Sequence, residues 1–483
     1  MIKKSIATRL IKSGTEQVLF VAATIISSGM HFVFSIFVKA YVIPYEYGIY
    51  SSCLILQTYL SYLQLGSLNA FNRDYPQLIG AKKDEEAKAY RNTVFSFLFF
   101  AFLSSLLLVV LVLLFVRKNS DIDSRFVYGF IFCALITALT VIENFGNYRS
   151  RIESGFKYAS LVTLFELASV FLGFILVRRV GYYAIYITSV IAMLIGIVCY
   201  YRYSYADIHV GIDKRLLRSV LLSGLPLFIN GLIWTAVNTI DKFVILAFID
   251  TEALGIYGIA QNAFSYMVLI PTAMSQMFYV KMGKIYGATN DEKKLSEIAL
   301  RYTLVLAAIT STIALVAYYM LPILVDKFMP NYSSGVPSSQ ILILGLSIYA
   351  ATMINGNILT IMKKNAAIIR SSLYMCIFNA TYSVLFVLLF GAKIEWVALG
   401  TATSYTLCAF IIISQVHRYA RCSVWDLIRS SVIPVSITII PGVLIYHSQI
   451  NNTLGLAISL AIVVFYFGVC GRKSIIEIFK AVD

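Results

Sequence analysis

Ionisable and hydrogen-bonding side chains recur at helical spacing inside apolar runs long enough to cross a bilayer. Gln17, Thr24, Ser28, His31, Ser35 and Lys39 follow one another at intervals of seven, four, three, four and four residues. That spacing draws one polar stripe down a helix. Asn230, Trp234, Asn238 and Asp241 repeat the pattern at four, four and three, with Lys242 directly after. Glu166 sits near the middle of another apolar run, with no basic residue three or four positions away. A charge at the bilayer centre costs at least about 2.5–3.5 kcal/mol, so such groups face a wet path or a partner. Lysine and histidine suit an anionic solute, and an isolated carboxyl suits a proton or another cation. Glu166 and Asp241 are therefore the expected ion-coupling groups. Adjacent Asp241 and Lys242 point about 100° apart on a helix, so each needs another partner. Glu143 lies close enough to a helix end for interfacial solvation to account for it. Arg73, Arg149 and Arg151 are placed at helix mouths, where they either set topology or meet a phosphate group.

These residues must be carried by membrane helices. Of the 483 residues, 59% are hydrophobic and 13% charged, with a mean hydropathy of +0.81. No water-soluble domain hides that much apolar surface, and long uninterrupted runs mean helices rather than a barrel. About fourteen spans near the required length can be drawn. Their limits are 17–42, 47–71, 92–116, 126–147, 158–177, 181–201, 224–249, 254–279, 302–325, 337–361, 367–390, 396–416, 431–447 and 454–470. The net charge of +15 does not signal nucleic acid. Most of the Lys and Arg fall before span one (Lys3, Lys4, Arg9, Lys12) and in alternate loops, which is the positive-inside rule and puts both termini in the cytoplasm. Asp250–Ala253 and Asn451–Thr453 are then outside. The first run is too long for a cleaved signal and is expected to remain as span one.

The chain also repeats itself. Gly48-Ile49-Tyr50 recurs as Gly255-Ile256-Tyr257, and Gly80-Ala81 with Asp84-Glu85 recurs as Gly287-Ala288 with Asp291-Glu292. Tyr59 and Tyr266, and Phe71 and Phe278, match at the same offset. A duplicated helical unit of six spans enters the membrane in the same sense both times. The two copies are then related by a pseudo-twofold along the membrane normal. The expected divisions are 1–210 (spans one to six), 211–421 (spans seven to twelve) and 422–483 (a further hairpin and tail), with Arg202 to Leu222 as the connecting segment. The Gly-Ala-x-x-Asp-Glu loops predict a helix N-cap opening a short amphipathic helix. Pro271 predicts a kink in the eighth span.

Other chemistries find no support. Gly468-Val469-Cys470-Gly471-Arg472-Lys473-Ser474 lacks the spacing of a phosphate-binding loop. No metalloprotease motif, CxxC pair or nucleophile elbow is present, which argues against an enzyme. The seven cysteines form no disulfide framework. No cofactor is expected beyond a proton or sodium gradient or the membrane potential.

Pro44-x-Glu46-Tyr47-Gly48-Ile49-Tyr50, Gly224-Leu225-Pro226, Asp241-Lys242 and Leu254-Gly255-Ile256-Tyr257-x-x-Ala260 resemble, in order and spacing, the Wzx-type polysaccharide flippases. Those belong to the multidrug/oligosaccharidyl-lipid/polysaccharide exporter superfamily, and the resemblance runs over roughly residues 10–420. It implies a two-lobed, V-shaped carrier in the bacterial cytoplasmic membrane, with spans one, two, seven and eight lining a cavity. It also implies ion-coupled alternating access that moves undecaprenyl-diphosphate-linked oligosaccharide units to the outer leaflet. For so anionic a substrate, Lys39, Lys242, His31 and Arg73, in or bordering those spans, are the expected substrate contacts, with Asn230 and Asn238. Membrane lipids, and a polysaccharide polymerase with chain-length proteins, are the implied partners. A lipid II flippase and a multidrug/cation antiporter of the same superfamily are the alternatives. The former would carry several arginines in its cavity helices, where span one has only His31 and Lys39. The latter favours acidic cavity residues and lacks the Gly-Ile-Tyr pattern. A non-transporting membrane scaffold is disfavoured by the interior charges.

Overall fold

A computed structural model of the chain describes residues 2–118, 123–153, 156–448 and 450–470, the side chains of 2–18, 21, 116, 117, 202, 203, 280, 284 and 470 excepted. The side chains of Lys3, Lys4, Arg9, Lys12, Gln17 and Arg202, the stretch from Gly471 and the C-terminal tail lie outside that description. All regular structure among the described residues is helical. The backbone contacts divide it into two units, Met1–Thr235 and Ala236–Asp483.

The first unit holds α1 (Ile2–Tyr41), α2 (Pro44–Leu60), α3 (Ser67–Gly80), α4 (Asp84–Lys118), α5 (Ser124–Glu153), α6 (Phe156–Val180) and α7 (Tyr183–Tyr200), and α8 (Lys214–Val237) as far as Thr235. The second holds α9 (Ile240–Phe248), α10 (Thr251–Thr289), α11 (Glu292–Phe328), α12 (Val336–Ala351), α13 (Met353–Ile361), α14 (Asn365–Phe390), α15 (Ile394–Ala420), α16 (Val424–Ser430), α17 (Val432–His447) and α18 (Asn452–Cys470). Thirteen helical segments among the described residues are long and apolar enough to cross a membrane. The difference from about fourteen lies in the second expected span. It is two pieces, α2 of 17 residues and α3 of 14, joined by a 3-10 turn at Ser61–Gln64. Leu65 and Gly66 are left-handed there, at φ 49° and 75°, which ends one helix and redirects the next.

Gly66 is also held by contact. A Cβ on it would come within 2.7 Å of the Gly224 carbonyl oxygen, and one on Gly224 within 2.6 Å of the Gly66 oxygen. The glycine of the Gly224-Leu225-Pro226 motif thus lets α8 touch the broken second span, backbone to backbone. The expected connecting segment is fastened inside the first unit. Ser204 Oγ donates to the Gly146 carbonyl (3.0 Å), Tyr205 to that of Ile142 (2.7 Å), and the Gly211 amide to Ser96 Oγ (2.9 Å). By backbone contacts the two units meet in sequence within the seventh expected span.

The second of the repeated loops does cap a helix: Asp291 Oδ1 accepts from the amides of Lys293 (2.9 Å) and Lys294 (3.1 Å), whereas α4 opens on Asp84 itself. The expected short amphipathic helices are absent, because α4 and α11 run on unbroken for 35 and 37 residues. Their apolar sequence begins too soon after the helix start for a separate surface helix to end. α10 continues through Pro271.

In lipid, helices associate through close packing of small residues rather than through expulsion of water. In the second unit Gly345 of α12 lies against Ala402 of α15, and Gly400 of α15 against the Ser383 backbone of α14. α15 is thereby wedged between α12 and α14. A Cβ on Gly400 would meet the Ser383 amide nitrogen at 2.5 Å. Gly400→Ala should therefore destabilise the protein by about 1–3 kcal/mol, seen as a lowered unfolding temperature in detergent. Gly283→Ala, with nothing within 4 Å of the new methyl, should leave stability unchanged or raise it.

Candidate functional site

The seventh expected span is broken at Asn238–Thr239, between α8 and α9, close to the middle of the 224–249 run. A break at that depth strips carbonyls of their helical partners, and hydrocarbon offers no water to replace them. The second unit supplies the replacement: Asn379 Nδ2 of α14 donates to the Val237 carbonyl at 3.0 Å. Asn379 Oδ1 in turn accepts from Ser383 Oγ (3.1 Å) and from Thr401 Oγ1 of α15 (3.0 Å). Asn379, Ser383 and Thr401 are all buried.

Asp241 stands one turn past the break and is 7% exposed. Its carboxylate accepts from the Lys242 amide at 2.9 Å. The Tyr257 hydroxyl is fully buried beside Asp241 and Thr401 without a well-formed hydrogen bond. Tyr405 donates to Asn238 Oδ1 at 3.4 Å. A cavity of about 250 Å³ opens here, lined among others by Asn238, Asp241, Lys242, Gln261, Thr401 and Tyr405. Buried Gln261 Nε2 also lacks a partner. Lys242 Nζ has no carboxylate within 4.0 Å among the described residues, as its angular offset from Asp241 requires. No group of three His, Cys, Asp or Glu side chains that would hold a metal occurs among the described residues. The surroundings of Asp241 are oxygens of a carboxylate, an amide and hydroxyls, a set suited to a proton or a hard monovalent cation. Lys242 adds a cation at the same cavity.

The structure thus brings together Asn238, Asp241 and Lys242 of the expected residues and separates others from them. Asn230 and Trp234 are exposed on α8. His31 is exposed, with Nδ1 2.9 Å from the Ser27 carbonyl. Lys39 is 1% exposed; its ammonium donates to Ser35 Oγ (3.1 Å) and lies 4.0 Å from the centre of the Tyr47 ring. It is a buried cation sealed by an aromatic face, with no open surface in this structure. Arg73 is half-exposed and forked onto Asp74, at 2.6 and 3.1 Å.

Two assignments need correction. Arg149 is neither a loose topology marker nor a free phosphate ligand, for it is 3% exposed. It grips both Asp207 oxygens (2.6 and 2.8 Å), Glu153 (3.0 Å) and the Ser204 carbonyl (2.9 Å). Arg91 joins the same Asp207 at 2.9 Å, and Tyr75 donates to Glu153. Nor is Glu143 solvated at an interface: it is 7% exposed, facing Glu166 across Gly196. Asn379, Thr401, Tyr257 and Tyr405 are the site residues that sequence reasoning passed over as partners. Tyr257 alone carried a signal, as the last residue of the repeated Gly-Ile-Tyr.

The family described as polysaccharide biosynthesis protein matches residues 17–279, more than half of the chain. The chain belongs to that family. The match takes in Asp241, Lys242 and Tyr257 and stops before Asn379. No curated protein matches the chain in sequence. Among solved structures it resembles the lipid II flippase MurJ in an inward closed conformation, with a TM-score of 0.73 and 14% identity over 95% of this chain and 100% of that one. It also resembles an inward-facing multidrug resistance MATE family transporter of the MOP superfamily, at 0.70 and 13% over 85% and 99%. A MOP superfamily transporter from Pyrococcus furiosus follows at 0.55 and 14%, over 86% and 95%. At such identities the likeness establishes the fold alone, that of these multi-pass membrane proteins. The resemblance read from the sequence motifs is thus borne out for family and fold.

Two expected outcomes follow from these networks. Asn379→Ala leaves the Val237 carbonyl and two hydroxyls without partners and should cost about 1–3 kcal/mol, measured as thermal unfolding in detergent. Asp207, outside the spans, is held down to a pKa of about 2, first by hydrogen bonds from Arg149. Its contribution is complete above the ordinary carboxylate pKa and is lost as pH falls through about 2, so it is constant from pH 5 to 8. Asp207→Ala should lower stability equally at pH 5.5 and 8, which unfolding scans at the two pH values would check.

Proposed function

We propose that the chain is a flippase that carries undecaprenyl-diphosphate-linked oligosaccharide repeat units from the inner to the outer leaflet of a bacterial cytoplasmic membrane. Alternating access is coupled to a proton or sodium gradient. The observation that carries the reading is the cavity at the α8–α9 break in a chain of this family. There the Lys242 ammonium, free of any ion pair among the described residues, shares a wet space with Asp241. A diphosphate cannot cross about 30 Å of hydrocarbon unaided, and a lysine serves it as a point charge. Asp241 and the oxygens around it are the coupling-ion group, and Glu166 is a second one in the first unit.

The organisation that goes with this reading is two six-span lobes, 1–210 and 211–421, with a hairpin added from 422 and both termini cytoplasmic. His31, Asn230, Asn238 and Arg73 meet the substrate at other stages of the cycle, and Lys39 meets it only in a conformation that lifts Tyr47. A polymerase and chain-length proteins are the partners that would use the product.

The test is complementation of a strain lacking the gene, with surface polysaccharide and leaflet-resolved lipid-linked units measured beside membrane protein abundance. Lys242→Ala should cut flipping by at least about tenfold, or 1.4 kcal/mol, at normal abundance, and Lys242→Arg should retain more activity. Asp241→Asn and Glu166→Gln should each lose gradient-driven flipping. A loss that merely follows falling protein levels would assign Lys242 a structural role instead.

A further inference from the structure

Glu143 on α5 and Glu166 on α6 converge on one point of α7. Glu166 Oε1 lies 2.7 Å, and Glu143 Cγ and Cδ lie 2.9 and 3.6 Å, from where a Cβ of Gly196 would stand. Only glycine leaves room for both side chains. Neither carboxyl forms an ion pair among the described residues. Glu143 is more than nine-tenths buried beside Asn147, whose Nδ2 also donates to the Tyr200 hydroxyl at 3.1 Å. The other titratable groups facing the pair are Cys199 and Tyr200 of α7 and Tyr205 just beyond it. Among the described residues the cation within electrostatic reach is Arg151, two turns along α5, and its guanidinium lies over the Tyr148 ring at 4.8 Å.

Two negative charges this close, inside the membrane and with no counter-charge in contact among the described residues, repel at a cost that water cannot screen. We infer that Glu143 and Glu166 form a single proton-binding carboxyl pair, holding one shared charge and one proton, with Gly196 as the gap that lets them meet. The pair takes up a proton from water as a dianion and becomes a monoanion. H⁺ is the cation proposed, because two carboxyls alone suffice to hold it. The inference deepens the coupling role proposed for Glu166 and rests on the transport reading for its purpose alone, since proton binding is measurable without substrate.

The test is an infrared titration of the full-length protein in lipid vesicles, following the carbonyl stretch of protonated carboxyl groups. In the wild type that band should persist at neutral pH and lose the intensity of one carboxyl group in the Glu143→Gln/Glu166→Gln double variant, the remainder belonging to other buried acids such as Asp241. In each single variant the remaining carboxyl has lost its like-charged neighbour, so its proton affinity should fall by at least about tenfold, one pH unit. Gly196→Ala should move the same titration while keeping both acids. Single variants that titrate as the wild type does would overturn the pair, as would a neutral-pH band in the double variant as strong as that of the wild type. A titrating pair in a protein that fails to flip lipid-linked glycan would leave this inference standing and remove the transport reading.

Discussion

The carbonyl of Val237 has to be satisfied inside the membrane, and much of the second unit is arranged around that requirement. Breaking a spanning helix frees backbone groups that lipid cannot solvate. Asn379 answers with its amide nitrogen, and its amide oxygen then gathers Ser383 and Thr401. A side chain that repairs the backbone thus also concentrates hydroxyl oxygens beside Asp241. The break and the polar site are one structure, and neither would be tolerable at this depth without the other.

Close helix packing makes this possible. Thr401 reaches Asn379 because Gly400, its immediate neighbour, lets α15 lie on the α14 backbone at Ser383. In the first unit the same device appears twice, with different results. Gly66 and Gly224 join a broken span to α8, whereas Gly196 opens a gap that two carboxyl groups fill. Small residues that in water would be packing details decide here which polar groups meet.

Charge is handled by burial with partners in one place and without them in another. Arg91 and Arg149 spend their donors on Asp207, Glu153 and backbone carbonyls, which fixes the segment after α7 to the first unit. Lys39 is sealed by an aromatic ring. Lys242 and the Glu143–Glu166 pair have no opposite charge in contact among the described residues, and they are the groups with charge to spare for a solute or an ion.

The sequence by itself determined the helical membrane class, most span limits, the cap at the second repeated loop, the family and the candidacy of Asp241, Lys242 and Asn238. These are readable because hydropathy and helical period are local properties, written within one segment. It could not separate Arg149 from Arg73, or a solvated Glu143 from a paired one. Residues a turn or less from a helix end look alike until the neighbouring helix is in place. Nor could it find Asn379 and Thr401, which lie well over a hundred residues from the break they complete. Their polar atoms acquire a meaning only when glycine contacts bring α14 and α15 against α9. Two spans expected to be continuous, the second and the seventh, are broken because tertiary partners make up for the hydrogen bonds a straight helix would have kept.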